Sequence, residues 1–354
     1  MASRRTTTTV APTPPETPTA PAARTAASRR RRSRGERFAA YIFVAPLLAV
    51  FAVFYLWPAL VTVLSSFFRW GLLRPWSPVE PARWRFVGLD NYTATLTDPS
   101  FWNAVLNTAI WLVVFPILVV VFSLLVSILI WYTTRGATVF RTVFILPMTI
   151  SLAAAGVIWS FVYNADPQIG VLNAVLDRLG ILGADWRLGP LELHPGAWLS
   201  NPGVLHLGVA DIRLTNLVLI VPAFWAFTGF GVITITAGLT AVPYELVEAA
   251  KVDGANAWQT ARRILVPALR RPLVVVGVVS VIFALRTFDI VYVMTGGGPA
   301  QDTMVLALLL WQQAFAFLDT PQGGQATAIA VLMSAVLIVG SWPYLRQLLA
   351  GRSR

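Results

Sequence analysis

Long apolar runs separated by short polar stretches make up the chain from Ala39 onward. Six of these runs are long enough, as helices rising about 1.5 Å per residue, to cross about 30 Å of hydrocarbon. They cover residues 39–64, 104–132, 142–163, 217–239, 273–294 and 326–345. A further apolar piece from Met304 to Phe317 is too short to span and predicts an interfacial or re-entrant helix. Between the fourth and fifth runs lies a polar island, Pro243 to Pro267. Pro243 suits the first turn of a helix and Gly254 the left-handed position after one, which predicts a helix from Pro243 to Val252. Trp258, Ala261 and Leu265 then recur at helical spacing until Pro267 and Pro272 limit continuation. The island therefore reads as two short helices with a bend between them. On the first, Glu245 and Glu248 share a face, and the small Ala249 and Ala250 let another surface approach the backbone closely. The same pattern also fits an amphipathic helix resting on the membrane with solvated glutamates.

Composition agrees with this pattern: 56% of residues are hydrophobic and 12% charged, too apolar a mixture for a soluble domain of 354 residues. The net charge of +11 invites a nucleic-acid reading, but the placement of the charges argues for orientation in a membrane instead. Nineteen Lys and Arg fall in the segment before the first run, the second-to-third loop, the polar island and the C-terminus, against seven in the alternate loops. This bias predicts that both termini and the island face the cytoplasm. Residues 1–37, rich in Thr, Pro, Ala and Arg, predict a disordered basic tail. They do not read as a cleavable signal peptide, because the following apolar run is long and lacks a small-residue cleavage site. Arg29 to Arg32, with Arg34 and Arg37, are placed to attract anionic membrane lipid.

Candidate chemistry is sparse. The chain has no cysteine, and His194 and His206 lack the spacing of a metal site, so no metal or cofactor is expected. Its one lysine, Lys251, is preceded by alanine, so there is no glycine-rich phosphate loop and any ATP must be hydrolysed by another chain.

Glu248-Ala249-Ala250, with Gly254 four residues beyond the last alanine and Ile264 ten beyond the glycine, resembles the EAA loop of binding-protein-dependent ABC import permeases. The resemblance continues in Phe86 to Tyr92, Asp98-Pro99, Phe101-Trp102, Asn107-Thr108, Arg141 to Pro147 and Phe288 to Pro299, which are similar to the maltose, glycerol-3-phosphate and α-glucoside permeases. It covers roughly Ala39 to Leu345 in consistent order. The resemblance implies an all-α integral membrane bundle of six transmembrane helices with cytoplasmic coupling helices, in the inner membrane of a prokaryote. It also implies a second homologous permease subunit, two cytoplasmic ATPase subunits and an extracytoplasmic solute-binding protein. Glu245, Glu248, Ala249, Ala250, Asp253, Gly254, Ile264 and Pro267 would form the ATPase-coupling surface. Two departures stand out: Val266 precedes Pro267 where the family usually has leucine, and the segment from Asn164 to Arg213 is longer than the family pattern.

Charges inside an apolar run point to a transport path. Arg286 would cost about 2.5–3.5 kcal/mol at the bilayer centre, and Asp289 three residues later is expected on the same helical face, close enough to pair with it. Trp225, Phe227 and Thr228 offer aromatic faces and a hydroxyl to a sugar, and Tyr292 adds a ring beyond Asp289. All of these also fit plain packing. Pro116, Pro147 and Pro222 interrupt three runs, and Gly296-Gly297-Gly298-Pro299 permits tight backbone turns, which the resemblance implies form a loop near the docked binding protein and which also fit a plain flexible turn. The resulting expectation is a transport subunit, not an enzyme, that moves a di- or oligosaccharide, with an α-glucoside favoured and a glycerol-3-phosphate-type substrate open. An ion-coupled secondary transporter is the alternative, though Asp289 is the sole membrane acid and no duplicated half is visible.

Overall fold

In a computed structural model, residues 34–71, 73, 85–133, 136–206, 211–316 and 322–350 are described. The expected basic tail falls almost wholly outside them. Contacts divide the chain into two units, one ending at Trp57 and one beginning at Pro58. The first is helical over Arg34–Phe51 and continues through a π turn, Ala52–Leu56, where Phe51 and Tyr55 stack with ring centroids 5.7 Å apart. Its exposed side chains, Phe43 and Leu47 among them, are apolar, as a helix in hydrocarbon requires.

The second unit is built on two long helices, Pro99–Tyr132 and Thr215–Thr240. Asp98 starts the first by accepting a 2.8 Å hydrogen bond from the Ser100 amide, with Pro99 at the position that needs no N–H. Small and hydroxylated residues allow the two to pack closely: a Cβ on Gly231 would lie 2.2 Å from Ser123 Oγ. Ser123 and Ser127 donate to the Thr228 and Val232 carbonyls, each at 3.3 Å. Without water to drive helices together, such close contacts and interhelical hydrogen bonds are what hold a membrane bundle. Around this pair the core buries Trp111, Phe115, Leu219, Ile235, Leu269, Ile290 and Ile329.

Among the described residues, Tyr41–Ser65, Pro99–Tyr132 and Thr215–Thr240 are each long and apolar enough to cross a membrane. Two bent pairs raise the possible number to five, and the helix Gly323–Ala350 covers the last expected run. The third run is not one helix: Ala137–Thr149 and Leu152–Val162 meet at 102°. Pro147 sits in a short tight turn there, and Ser151 caps the second piece by accepting from the Ala154 amide at 3.2 Å. The fifth run is also interrupted, between Arg270–Leu285 and Asp289–Met294. The apolar piece predicted over Met304 to Phe317 forms the short helix Leu306–Trp311 and a π turn, Gln312–Ala316.

The spanning part is helical as expected, but the long 164–213 segment adds strands. After the helix Val171–Arg178, a four-stranded antiparallel meander runs through Trp186–Leu188, Leu191–Leu193, Gly203–His206 and Asp211–Arg213. Arg187 lies opposite Glu192 in the register and pairs with it at 3.2 Å. A two-stranded ribbon, Phe68–Arg69 with Arg85–Phe86, precedes the first long helix.

Candidate functional site

The polar island folds as two helices joined by a fixed corner. The first runs Tyr244–Val252, with Pro243 as its N-cap rather than inside its first turn, since its ψ of 128° is extended. Gly254 has φ +81°, the left-handed conformation expected of it. The Gly254 amide donates to the Lys251 carbonyl at 3.0 Å and the Ala255 amide to the Ala250 carbonyl at 2.9 Å, the paired bonds of a Schellman end. Two residues on, Asn256 and Gln259 form a capping box, with bonds of 2.8 and 2.9 Å, that starts the second helix. That helix runs one residue past Pro267. It passes through a π turn at Ala261–Leu265, ends at Ala268, and meets Arg270–Leu285 at 70°. The Val266 amide reaches back to Ala261, and Pro267, having no N–H, follows at the point where the ladder is already shifted.

Burial sorts the faces of this segment. Val247, Thr260, Ala261 and Leu265 are buried, anchoring both helices to the bundle. Glu245, Glu248, Ala249, Asp253, Gly254 and Pro267 are exposed, while Ala250 and Ile264 are half-buried. The Tyr132 hydroxyl at the end of the first long helix donates to the Ala257 carbonyl at 3.4 Å. The expected coupling residues thus lie on a stiff, two-helix projection with an acidic, small-residue face toward solvent.

A second site gathers part of the predicted path. Phe227, Phe283, Arg286, Thr287, Phe288 and Asp289, with Leu152, line a recess of about 330 Å³. Phe115 stacks on Phe283 with centroids 4.9 Å apart, and Phe227 lies 4.8 Å from Phe283, so the recess has a packed aromatic floor. Arg286 and Asp289 do not form the expected ion pair. The helix ends at Arg286 and restarts at Asp289, so the same-face argument, which assumed a continuous helix, fails. Both side chains are exposed, and among the described residues neither has an ion-pair partner. Trp225 is elsewhere, its ring 6.0 Å from Trp159. Thr228 is buried and its hydroxyl donates back to the Phe224 carbonyl at 2.6 Å. Tyr292 is 45% exposed and stacks on Phe288 with centroids 5.2 Å apart.

The glycine run is no loose turn. Thr303 Oγ1 donates to the Gly298 carbonyl at 2.7 Å and lies 2.8 Å from Thr295 Oγ1. Asn107 Nδ2 donates to the Met304 carbonyl at 2.9 Å, and the Leu306 amide donates to Thr108 Oγ1 at 3.0 Å. Asn216 Nδ2 donates to both Asn107 Oδ1 and the Asp302 carbonyl, at 2.9 and 3.0 Å. Arg213 Nε, at the end of the meander, is 2.9 Å from Asp302 Oδ1. Burial raises the Asp302 pKa above the usual carboxylate value, and the Arg213 charge partly offsets that rise. Sequence reasoning missed Asn216 and Asp302, whose partners lie far along the chain.

Comparison with known proteins agrees with this architecture. A family model described as binding-protein-dependent transport system inner membrane component matches residues 179–346. The chain is 33% identical over 302 residues to the osmoprotective compounds uptake permease protein GgtC of Synechocystis sp., covering 84% of this chain and 95% of that protein. It is 31% identical over 306 residues to the alpha-glucoside transport system permease protein AglF of Rhizobium meliloti, covering 84% of this chain and 79% of that one. A crystal structure of a bacterial ABC transporter that imports the acidic polysaccharide alginate superposes with a TM-score of 0.63 at 20% identity, over 86% of this chain and 93% of the other. At that identity the likeness is one of fold.

Proposed function

Because the chain belongs to the family of binding-protein-dependent transport system inner membrane components, we propose that it is the permease subunit through which an ABC importer passes a di- or oligosaccharide. Relatives named for α-glucosides and for lactose support the sugar class. The observation that carries the reading within this molecule is the 330 Å³ recess at the break in the fifth run. It combines aromatic faces from Phe227, Phe283 and Phe288 with a cation, a hydroxyl and a carboxylate from Arg286, Thr287 and Asp289. Sugar rings need this mixture: flat apolar surface for their C–H faces and a few placed polar groups for their hydroxyls.

The partners are a second permease, two cytoplasmic ATPase subunits and an extracytoplasmic solute-binding protein. A solved alginate importer in complex with a pentasaccharide-bound periplasmic protein supports the last of these. In this reading both termini and residues 243–267 face the cytoplasm, in the membrane orientation that the basic residues favour. Glu245 and Glu248 enter a groove on an ATPase, Ala249 and Ala250 permit close approach, and Asp253 and Gly254 set the corner. Ile264 and Pro267 carry the second helix back to the bundle. The Schellman end and the capping box make this corner stiff. Closure of the ATPases then rotates the two helices as one body and tips the bundle between inward-open and outward-open states. A break in the fifth run beside the recess is a point where such rocking alters access to the sugar.

A glycerol-3-phosphate-type substrate is the second reading, favoured by Arg286, which has no ion-pair partner among the described residues; Asp289 in the same recess weighs against a dianion. Reconstitution tests both. The chain should copurify with an ATPase and a second permease, and liposomes holding the complex should take up sugar only with ATP and binding protein. Uptake driven by a proton or sodium gradient without ATP would overturn the reading.

A further inference from the structure

Beside the recess, Phe288, Tyr292 and Trp311 form one continuous aromatic surface. Phe288 and Tyr292 stack nearly parallel, at 12°, and the Trp311 ring meets Tyr292 edge-on at 5.0 Å and Phe288 at 5.9 Å. Phe288 belongs both to this surface and to the recess wall, so the two are contiguous. Tyr292 is nearly half exposed, and Trp311 and Gln312 are partly exposed.

The helix that brings Trp311 is otherwise apolar, yet two glutamines follow directly, at a π turn. Gln312 Nε2 makes one long 3.4 Å contact with the Gly296 carbonyl. Gln313 is buried. π turns concentrate at functional positions.

We infer that Tyr292, Trp311 and Gln312 form a second sugar subsite, one ring further along the path than the recess at Arg286 and Asp289, so that the permease holds two successive sugar rings. This rests on the sugar-import reading above. The aromatic surface takes the C–H face of the second ring and Gln312 its hydroxyls, which restricts good cargo to disaccharides and longer chains.

Saturation-transfer NMR on the assembled permease–ATPase complex in nanodiscs tests this, with maltose, lactose and sucrose as probes. At least one disaccharide should receive saturation on both rings. Trp311→Ala should weaken the signal of one ring about three- to tenfold, the worth of one aromatic contact, and leave the other. Trp311→Phe should restore most of it, and Gln312→Ala should affect the same ring as Trp311→Ala. Because Trp311→Ala is itself open to misfolding, the Gln312→Ala and Trp311→Phe complexes carry the same ring-by-ring reading. Saturation of a single ring in the wild type, or equal loss from both rings in the variants, overturns the second subsite but leaves sugar import standing. No saturation on any of the three sugars overturns the oligosaccharide reading, and the subsite with it.

Discussion

Asn216 Nδ2 donates to Asn107 Oδ1 across 2.9 Å, joining the starts of the two long helices inside the bundle. Asn107 passes the connection on by donating to the Met304 carbonyl, so the glycine-rich loop is tied to both helices. Both asparagines are buried. Asn107→Ala strands the Met304 carbonyl and one Asn216 bond, each orphan being worth about 1–3 kcal/mol. The variant should unfold at clearly lower temperature in detergent, whereas replacing a half-exposed neighbour such as Val105 by alanine should matter less. Equal stability of Asn107→Ala and wild type would show the bonds to be incidental.

Gly254 offers a cleaner test of the corner. No atom lies within 4 Å of where its Cβ would go, so only the φ of +81° resists substitution. A β-branched residue there costs about 1–2 kcal/mol locally or pulls the corner out of shape. In the assembled complex Gly254→Val should keep ATP hydrolysis but lose most sugar uptake. Gly254→Asn, which tolerates the left-handed region, should retain far more. Normal uptake by the valine variant would remove the corner from the coupling route.

The contrast between these two places explains what the sequence made legible. The two long helices over 104–132 and 217–239 were readable because apolar runs bounded by polar loops leave little choice, although the first begins at Pro99, five residues before its apolar run. Gly254 was readable because a helix opened by Pro243 and a glycine at its end are local signals. The breaks at Thr149–Leu152 and Arg286–Asp289 were only partly so: Pro147 marked an interruption of the third run and Arg286 and Asp289 put charge inside the fifth, but packing against neighbouring helices decides whether such residues bend a backbone. The assumption of an unbroken helix then produced the false pairing of Arg286 with Asp289. The meander carried a weak signal, alternation in Leu191-Glu192-Leu193 and Asp211-Ile212-Arg213, obscured by strands of three or four residues. Asn216 and Asp302 depend on partners 86 to 109 residues away, which no local pattern records.

The Arg213–Asp302 pair predicts a pH effect with a definite sign. Burial raises the folded-state pKa of Asp302, so the folded chain holds that proton more readily than the unfolded one. Its contribution is therefore complete below the ordinary carboxylate range and is lost as pH rises through the raised value. Arg213 limits that loss by favouring the charged form. Arg213→Gln should then match wild-type stability below the ordinary carboxylate range and fall behind it as pH rises through the raised value. Adding Asp302→Asn should abolish the pH dependence of the deficit. A deficit that is constant with pH would mean that Arg213 acts through packing alone.

Arg286 and Asp289 share a recess but make no ion pair with each other, which separates a transport role from a structural one. If they served to hold two helices together, removing one would leave the other uncompensated and the pair would show strong thermodynamic coupling. With no bond between them, Arg286→Gln and Asp289→Asn should each change stability little, and the double variant should equal their sum within about 0.5 kcal/mol. Uptake should behave otherwise: each single variant should raise the sugar concentration needed for half-maximal transport by about tenfold, as expected when a polar group that meets a substrate hydroxyl is lost. Binding-protein-stimulated ATP hydrolysis should persist in both, since the coupling segment is untouched. A coupling above about 1 kcal/mol in the stability cycle, or unchanged uptake in both single variants, would remove the two charges from the sugar path and return them to a structural role.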